Sequence, residues 1–316
     1  MKKSLLVLLT IIMIFTTGCT VCLQPQKSEL SVVSTIFASY DFAKEIAGEY
    51  GDVSMLLKPG AESHSYEPTP KDIVTIGECD VFIYVGGEND AWVEDLLETV
   101  DTSNIVIIKM LDLVDKYSKE HVEGMDCQEE DCKEHDHSDT TEWDEHVWTS
   151  PKNAVIICEA ICEAFCEVNA VREKDYKDNF NSYKEELIAL DEEFRTVIEN
   201  GNRNVLVFGD RFPLRYFTEE YGLKYYAAFP GCSSDTEASA ATIAFLIDKV
   251  KEENIPVILK IELSSDNIAR TIAEDTGAVV KTYNTCHNVT ADEFSQGVTY
   301  ISLMKQNLEV IKEALQ

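Results

Sequence analysis

The stretch REKDYKDNFNSYKEELIALDEEFRTVIEN, residues 172–200, divides the chain into two parts. Its apolar residues recur at steps of three and four, the spacing of one face of an α-helix. These residues are Tyr176, Phe180, Tyr183, Leu187, Leu190, Phe194 and Ile198. The stripe predicts one continuous helix of roughly eight turns, ended by Asn200-Gly201. We therefore expect a long, stiff helix with a structured region on each side.

On both sides of this helix, short β-rich runs alternate with helical patterns. The runs before it are SVVSTIF, DVSMLLK, DVFIYVG and NIVIIKM, and those after it are NVLVFGD, LKYYAAF, IPVILKIEL and AVVKTY. Such alternation predicts an α/β protein with two lobes of mostly parallel sheet. We expect an N-terminal lobe at 19–170, a connecting helix at 171–200 and a C-terminal lobe at 201–316. Because ligands bind at the carboxyl ends of parallel strands, a site is expected between the lobes.

The first residues, MKKSLLVLLTIIMIFTTGC, have the features of an export signal. Two lysines precede an apolar run that is too short for an ordinary membrane span, and Gly18-Cys19 follows it. The pattern resembles a bacterial lipoprotein signal, so residues 1–18 are expected to be removed and Cys19 to carry lipid. This predicts a protein on the extracytoplasmic face of the cell membrane, in contact with the membrane through its N-terminal lipid only.

The charge balance narrows the range of partners. The formal net charge is −31, from 58 acidic and 27 basic residues. This charge argues against nucleic-acid binding and favours the accumulation of cations near the surface. We expect a monomer that binds no nucleic acid.

The chain contains ten cysteines. Without Cys19 an odd number remains, and these cannot all pair within one chain. Cys158, Cys162 and Cys166 are spaced to share one face of a helix, which favours buried, reduced thiols.

Residues 118–143 form an acidic stretch that contains three histidines, Cys127 and Cys132. The histidines are His121, His135 and His137. A segment with so few apolar residues cannot form a packed core. One interpretation is a loop that collects metal and passes it to the main site, and the other is a solvated acidic spacer. The two cysteines are open to a small disulfide or to a role as soft ligands.

Two histidines lie on predicted loops in distinctive contexts. His64 follows a Pro-Gly loop in PGAESHSYEPTP. His146 lies in DEHVWTSPKNA, ahead of a Pro and an Asn that indicate the start of a helix. Neutral imidazole is the commonest protein ligand for zinc and related ions. Further donors follow the C-terminal-lobe strands: Asp210, Glu262, Asn284, Cys286 and His287. Two histidines and two such donors would close a four-coordinate site, which binds metal rather than catalysing a reaction.

As a whole, the chain resembles the metal-binding lipoproteins of zinc and manganese ABC importers, the solute-binding family 9 (cluster A-I) group. The resemblance rests on PGAESHSYEPTPKD, DEHVWTSPKNA, RYFTEEYGL, IAEDTGAVV and YISLMKQNLEVI, which occur in the family's order along nearly the whole mature chain. It implies two pseudo-symmetric α/β lobes, one long helix between them, and a divalent metal ion held between the lobes. It also implies delivery of that ion to a permease driven by an ATPase.

The resemblance assigns the metal ligands residue by residue. His64 and His146 match the two ligand histidines of the N-terminal lobe. The third position falls on Asp210 and the fourth on Asn284. Asparagine offers only a neutral oxygen, so His287, in the same loop, is an alternative donor. The imidazoles favour Zn2+ as the transported ion, whereas an added carboxylate moves the preference towards Mn2+ or iron.

Two other classes of function remain open from the sequence. A secreted metallohydrolase would need an open coordination position and a general base, and HExxH, GxSxG and P-loop motifs are absent. A surface adhesin, a role sometimes attributed to the resembled family, would need no metal affinity in the cleft. We therefore expect a transport protein and no enzyme.

Overall fold

The structure is a computed structural model that describes residues 30–61, 66–88, 90–125, 142–231 and 237–316. Eight strands and ten α-helices occur within these residues. The predicted signal peptide, Cys19, His64, and the cysteines and two later histidines of the acidic stretch lie outside the described residues. No helix in the described part of the chain is long and apolar enough to cross a membrane.

The N-terminal lobe is built on a parallel sheet of four strands. The strands are β1 (Ser31–Ser34), β2 (Asp52–Met55), β3 (Val81–Tyr84) and β4 (Val106–Lys109), in the order β2-β1-β3-β4. Its helices are α1 (Phe37–Ala47), α2 (Pro70–Gly77), α3 (Ala91–Leu97) and α4 (Pro151–Val168). Every residue of β3 is buried, as expected for a central strand with helices on both faces.

The C-terminal lobe repeats this arrangement. Its strands are β5 (Val205–Phe212), β6 (Lys224–Pro230), β7 (Val257–Ile261) and β8 (Val279–Tyr283), all parallel, in the order β6-β5-β7-β8. Its helices are α6 (Arg215–Tyr221), α7 (Ala240–Glu252), α8 (Asn267–Thr276), α9 (Ala291–Ser295) and α10 (Tyr300–Leu315). The same strand order in both sheets confirms the predicted fold class of two similar α/β lobes.

The long central helix, α5, runs from Glu173 to Glu199. Its stripe is buried at six of the seven predicted positions, and Ile198 is half-buried. Helices α1 and α4 of the N-terminal lobe and α10 at the C-terminus all pack against α5. The helix therefore supports both lobes along its length, and one apolar core includes residues of both lobes.

The described cysteines fit the prediction of reduced thiols. Cys79, Cys158, Cys162 and Cys286 are buried, Cys166 is half-buried, and all five are free. Burial raises the pKa of the Cys162 thiol to about 12, so this group stays protonated and unreactive.

Candidate metal site

A cavity lies between the lobes at the carboxyl ends of their strands. About 420 Å³ of space that no atom fills lies between its walls, part of it open to solvent. The N-terminal lobe contributes Ala61 and His146 to its wall, and the C-terminal lobe contributes Arg211, Glu262 and His287, among others. The cleft predicted from the strand alternation is therefore present and has polar walls.

His146 is held in one orientation by its own chain segment. The side chain is 2% exposed, and its Nδ1 lies 3.1 Å from Oδ1 of Asp144. The same oxygen accepts a hydrogen bond of 2.9 Å from the His146 backbone N–H. A carboxylate on Nδ1 places the proton there and leaves Nε2 as the metal-binding nitrogen. Gly231 lies beside the ring, and a Cβ there would be 3.2 Å from Cε1 of His146.

His287 projects from the loop after β8, which is held in place by Glu262. The Glu262 carboxylate accepts hydrogen bonds from the backbone N–H of Thr285 at 2.7 Å and from its hydroxyl. The Thr285 hydroxyl in turn accepts from the His287 backbone N–H at 3.2 Å. Burial raises the pKa of Glu262 to about 7, although the Thr285 hydrogen bonds act in the opposite direction. Glu262 therefore orders the loop and also lines the cavity.

The indole ring of Trp148 packs against both histidines. The ring centres of His146 and His287 are 6.1 Å apart, and the Trp148 ring lies 5.5 Å and 5.2 Å from them. Imidazoles that bind one tetrahedral zinc ion through bonds of about 2.0–2.1 Å have ring centres roughly 5 Å apart. The Trp148 Nε1–H donates to the Thr285 carbonyl oxygen at 2.8 Å, which fixes the spacing across the cleft. The spacing of 6.1 Å between the two rings is about 1 Å longer than in such a site.

Two residues predicted as ligands, Asp210 and Asn284, do not line this cavity. The Asp210 carboxylate accepts from the backbone N–H groups of Arg211 (2.8 Å) and Ile261 (3.0 Å) and from the Ser264 hydroxyl. These bonds direct the Asp210 carboxylate towards β7, so that it links β5 to β7. The backbone of Asn284 is bound on both sides by the side chain of Asn307. Of the donors that the sequence named in the C-terminal lobe, His287 and Glu262 line the cavity.

Arg211 occupies the part of the cavity wall next to Asp210. Its side chain is 10% exposed, and its Nε lies 4.0 Å from Oδ1 of Asp210. Arg211 and Glu262 both line the cavity. Within the described ranges, no three His, Cys, Asp or Glu side chains converge closely enough to hold an ion. His64, predicted as the remaining ligand, lies outside those ranges.

The acidic stretch begins and ends close to this site. Ser118 and Trp143 form an antiparallel bridge, and the Lys119 N–H donates to the Glu142 carbonyl oxygen at 2.9 Å. Beyond the bridge, the chain reaches Asp144, whose carbonyl oxygen accepts from the Tyr216 hydroxyl at 2.8 Å. The two ends of the stretch are therefore fixed together, only a few residues from His146.

Sequence reasoning did not assign a role to Asp144, Trp148 or Thr285. The first two lie within DEHVWTSPKNA, and a carboxylate two positions before a candidate ligand was a usable signal. Nothing in the local sequence signals that the Thr285 carbonyl lies beside Trp148, because the contact joins residues 137 positions apart.

Comparison with known proteins gives a consistent result. Residues 32–314 match the family described as zinc-uptake complex component A, periplasmic (ZnuA). The chain is 33% identical over 290 residues to the high-affinity zinc uptake system protein ZnuA of Bacillus subtilis, which covers 91% of this chain and 88% of that protein. It is 30% identical over 317 residues to the zinc-binding lipoprotein AdcA of Streptococcus pneumoniae. That match covers 99% of this chain but only 61% of AdcA.

A solved structure extends the comparison to three dimensions. The Zn(II)-bound ZnuA-like domain of Streptococcus pneumoniae AdcA superposes with a TM-score of 0.74 at 28% identity, covering 91% of this chain and 99% of that one. The resemblance inferred from the sequence motifs is confirmed. On the match across residues 32–314 and these relatives, the chain belongs to the ZnuA family.

Proposed function

We propose that this protein is the extracytoplasmic metal-binding component of an ABC importer, and that it binds a zinc ion in the cleft for delivery to the permease and its ATPase. The observation that carries the proposal is the cavity with two imidazoles, His146 and His287, on opposite lobes. Its support includes the named zinc-binding relatives and the zinc-bound solved structure. The role needs no catalytic step, because the ion is cargo.

The proposed ligands are His146, His287 and Glu262, which line one cavity, with His64 as the predicted fourth member. The three described side chains do not converge on one point, so we propose that they draw together when the ion binds. Three imidazoles and one carboxylate suit zinc, a borderline-soft ion that takes nitrogen and oxygen ligands in a tetrahedron. The sequence argument for manganese depended on the Asp210 carboxylate, which is bonded to β7 and Ser264 instead. We therefore propose zinc ahead of manganese as the transported ion.

We further propose that lipid on Cys19 holds the protein at the outer face of the membrane. AdcA, a relative at 30% identity, is named a lipoprotein. Because the ends of the acidic stretch are fixed near Asp144, ions that its side chains collect would be released close to His146.

Calorimetric titration tests the proposed function. The metal-stripped protein starting after Cys19 is titrated with zinc and, separately, with manganese. We expect one tight zinc site that is lost in His146→Ala and in His287→Ala and retained in His121→Ala, whose parent residue is exposed and outside the cavity. Tight binding that survives both cleft substitutions would refute the proposed site, and a preference for manganese would refute the proposed ion.

A further inference from the structure

The loop at residues 284–289 belongs to the C-terminal lobe in sequence but is hydrogen-bonded to the N-terminal lobe. The His287 carbonyl oxygen accepts from the Phe37 N–H at 3.0 Å, at the start of α1. The Val289 carbonyl oxygen accepts from the Gly60 N–H at 2.7 Å. This His287 loop therefore forms a seam along which the two lobes are joined next to the cavity.

Asn288 makes the side-chain contacts at this seam. Its Nδ2 donates to the carbonyl oxygens of Lys58 at 2.9 Å and Ala61 at 2.8 Å. Its Oδ1 accepts from the Val289 N–H at 2.8 Å. The residue is 4% exposed and lines the cavity beside His287. One buried amide thus binds two backbone oxygens of the opposite lobe and a backbone N–H of its own loop.

The geometry points to Asn288 as a positioning residue that holds the seam closed and so determines how long the metal ion stays in the cleft; this inference rests on the proposed function. Asn288 itself need not touch the ion. Its donors hold the chain at Lys58–Ala61 against the loop that carries His287. Without them, the carbonyl oxygens of Lys58 and Ala61 lose these donors, and water gains a route into the seam. The ion then leaves faster, because a looser wall lets water compete with the ligands.

Asn307 provides a matched control. It is also a buried amide with two backbone contacts: Nδ2 donates to the Asn284 carbonyl oxygen at 2.7 Å, and Oδ1 accepts from the Asn284 N–H at 2.8 Å. All of these groups lie within the C-terminal lobe. Truncating Asn307 disturbs the same stretch of chain without removing a bond between the lobes.

The test compares Asn288→Ala with Asn307→Ala in the zinc-loaded protein. Zinc release is followed by stopped-flow mixing with an excess of a chromogenic chelator. We expect Asn288→Ala to release zinc at least about tenfold faster than the parent, the size of effect seen for residues that support metal ligands. Asn307→Ala should release zinc at close to the parental rate. Equal rates in all three proteins, or equal acceleration in both variants, would overturn the inference.

Hydrogen exchange of the metal-free protein separates this inference from the proposed function. We expect the Phe37 and Gly60 amides to lose protection in Asn288→Ala and to keep it in Asn307→Ala. Asn288→Ser, a milder change, serves if the alanine variant does not fold. Unchanged protection in the Asn288 variants would overturn the inference that Asn288 holds the seam closed, even if zinc binds tightly. A parent that binds no zinc but shows the expected loss of protection would refute the metal-binding role while leaving the seam contact established.

Discussion

Asp41 should make the stability of this protein fall as pH rises through the neutral range. The side chain is 2% exposed and accepts a hydrogen bond of 2.7 Å from the Tyr300 N–H, which joins α1 to the start of α10. Burial raises its pKa to about 7, and the nearby Glu45 adds to the effect. The hydrogen bond from Tyr300 acts in the opposite direction but does not offset the loss of hydration.

The size and sign of the effect follow from linkage. Between its unfolded pKa of 3.8 and its folded pKa of about 7, Asp41 binds more protons in the folded state than in the unfolded state. The free energy of unfolding therefore falls as pH rises across this interval and levels off above it. Each pH unit over which Asp41 ionises only in the unfolded state corresponds to 1.36 kcal/mol, so the loss of stability between pH 5 and pH 8 is about 2–3 kcal/mol.

Asp41→Asn isolates this contribution, because the amide oxygen can still accept from Tyr300 and the side chain cannot ionise. Urea unfolding of the metal-free parent and variant at pH 5 and pH 8 gives the two differences in free energy. The variant should gain about 2–3 kcal/mol relative to the parent between these pH values. A constant difference at both pH values would show that Asp41 titrates normally and would refute the reasoning.

Three further predictions concern the cleft and its surroundings. Asp144→Asn should weaken zinc binding about 10- to 100-fold in a chelator competition while thermal unfolding changes little, because the carboxylate orients His146; unchanged affinity would show that the ring needs no such partner. Gly231→Ala should destabilise the fold by about 1–3 kcal/mol in urea unfolding, since its Cβ would lie 2.7 Å from the Phe212 carbonyl oxygen; a neutral effect would contradict this close packing. Replacing residues 126–141 by a short Gly-Ser linker should preserve the tight site and lower the total number of ions bound, as measured by equilibrium dialysis; loss of the tight site would place it in the acidic stretch.

Much of the fold could be predicted from the sequence because its signals are local. The eight β-rich runs each became a strand, and the stripe from Tyr176 to Ile198 became one helix. The short helix Ala291–Ser295 was missed, although Thr290 and Glu293 form the capping box that marks such a start. The order of strands in each sheet depends on contacts between distant segments, so periodicity alone did not reveal it.

The candidate site was only partly predictable, because a strand's end is visible in sequence but the direction of its last side chains is not. The register of β5 against β6 shifts between Phe208 and Arg211. Such an irregularity breaks the alternation of faces, and here Arg211 lines the cavity while Asp210 bonds to β7. Gly209 was the available signal, since a glycine inside a strand often marks a bulge or a close backbone approach. A Cβ there would be 2.4 Å from Cα of Ala269.

The measurement that tests the central claim most directly is anomalous diffraction at the zinc edge from crystals of the zinc-loaded protein. The account predicts one strong peak in the cleft, bonded at about 2.0–2.1 Å to Nε2 of His146 and to a ring nitrogen of His287. A single peak elsewhere, beside Asp210 and Ser264 or on the acidic stretch, would contradict it.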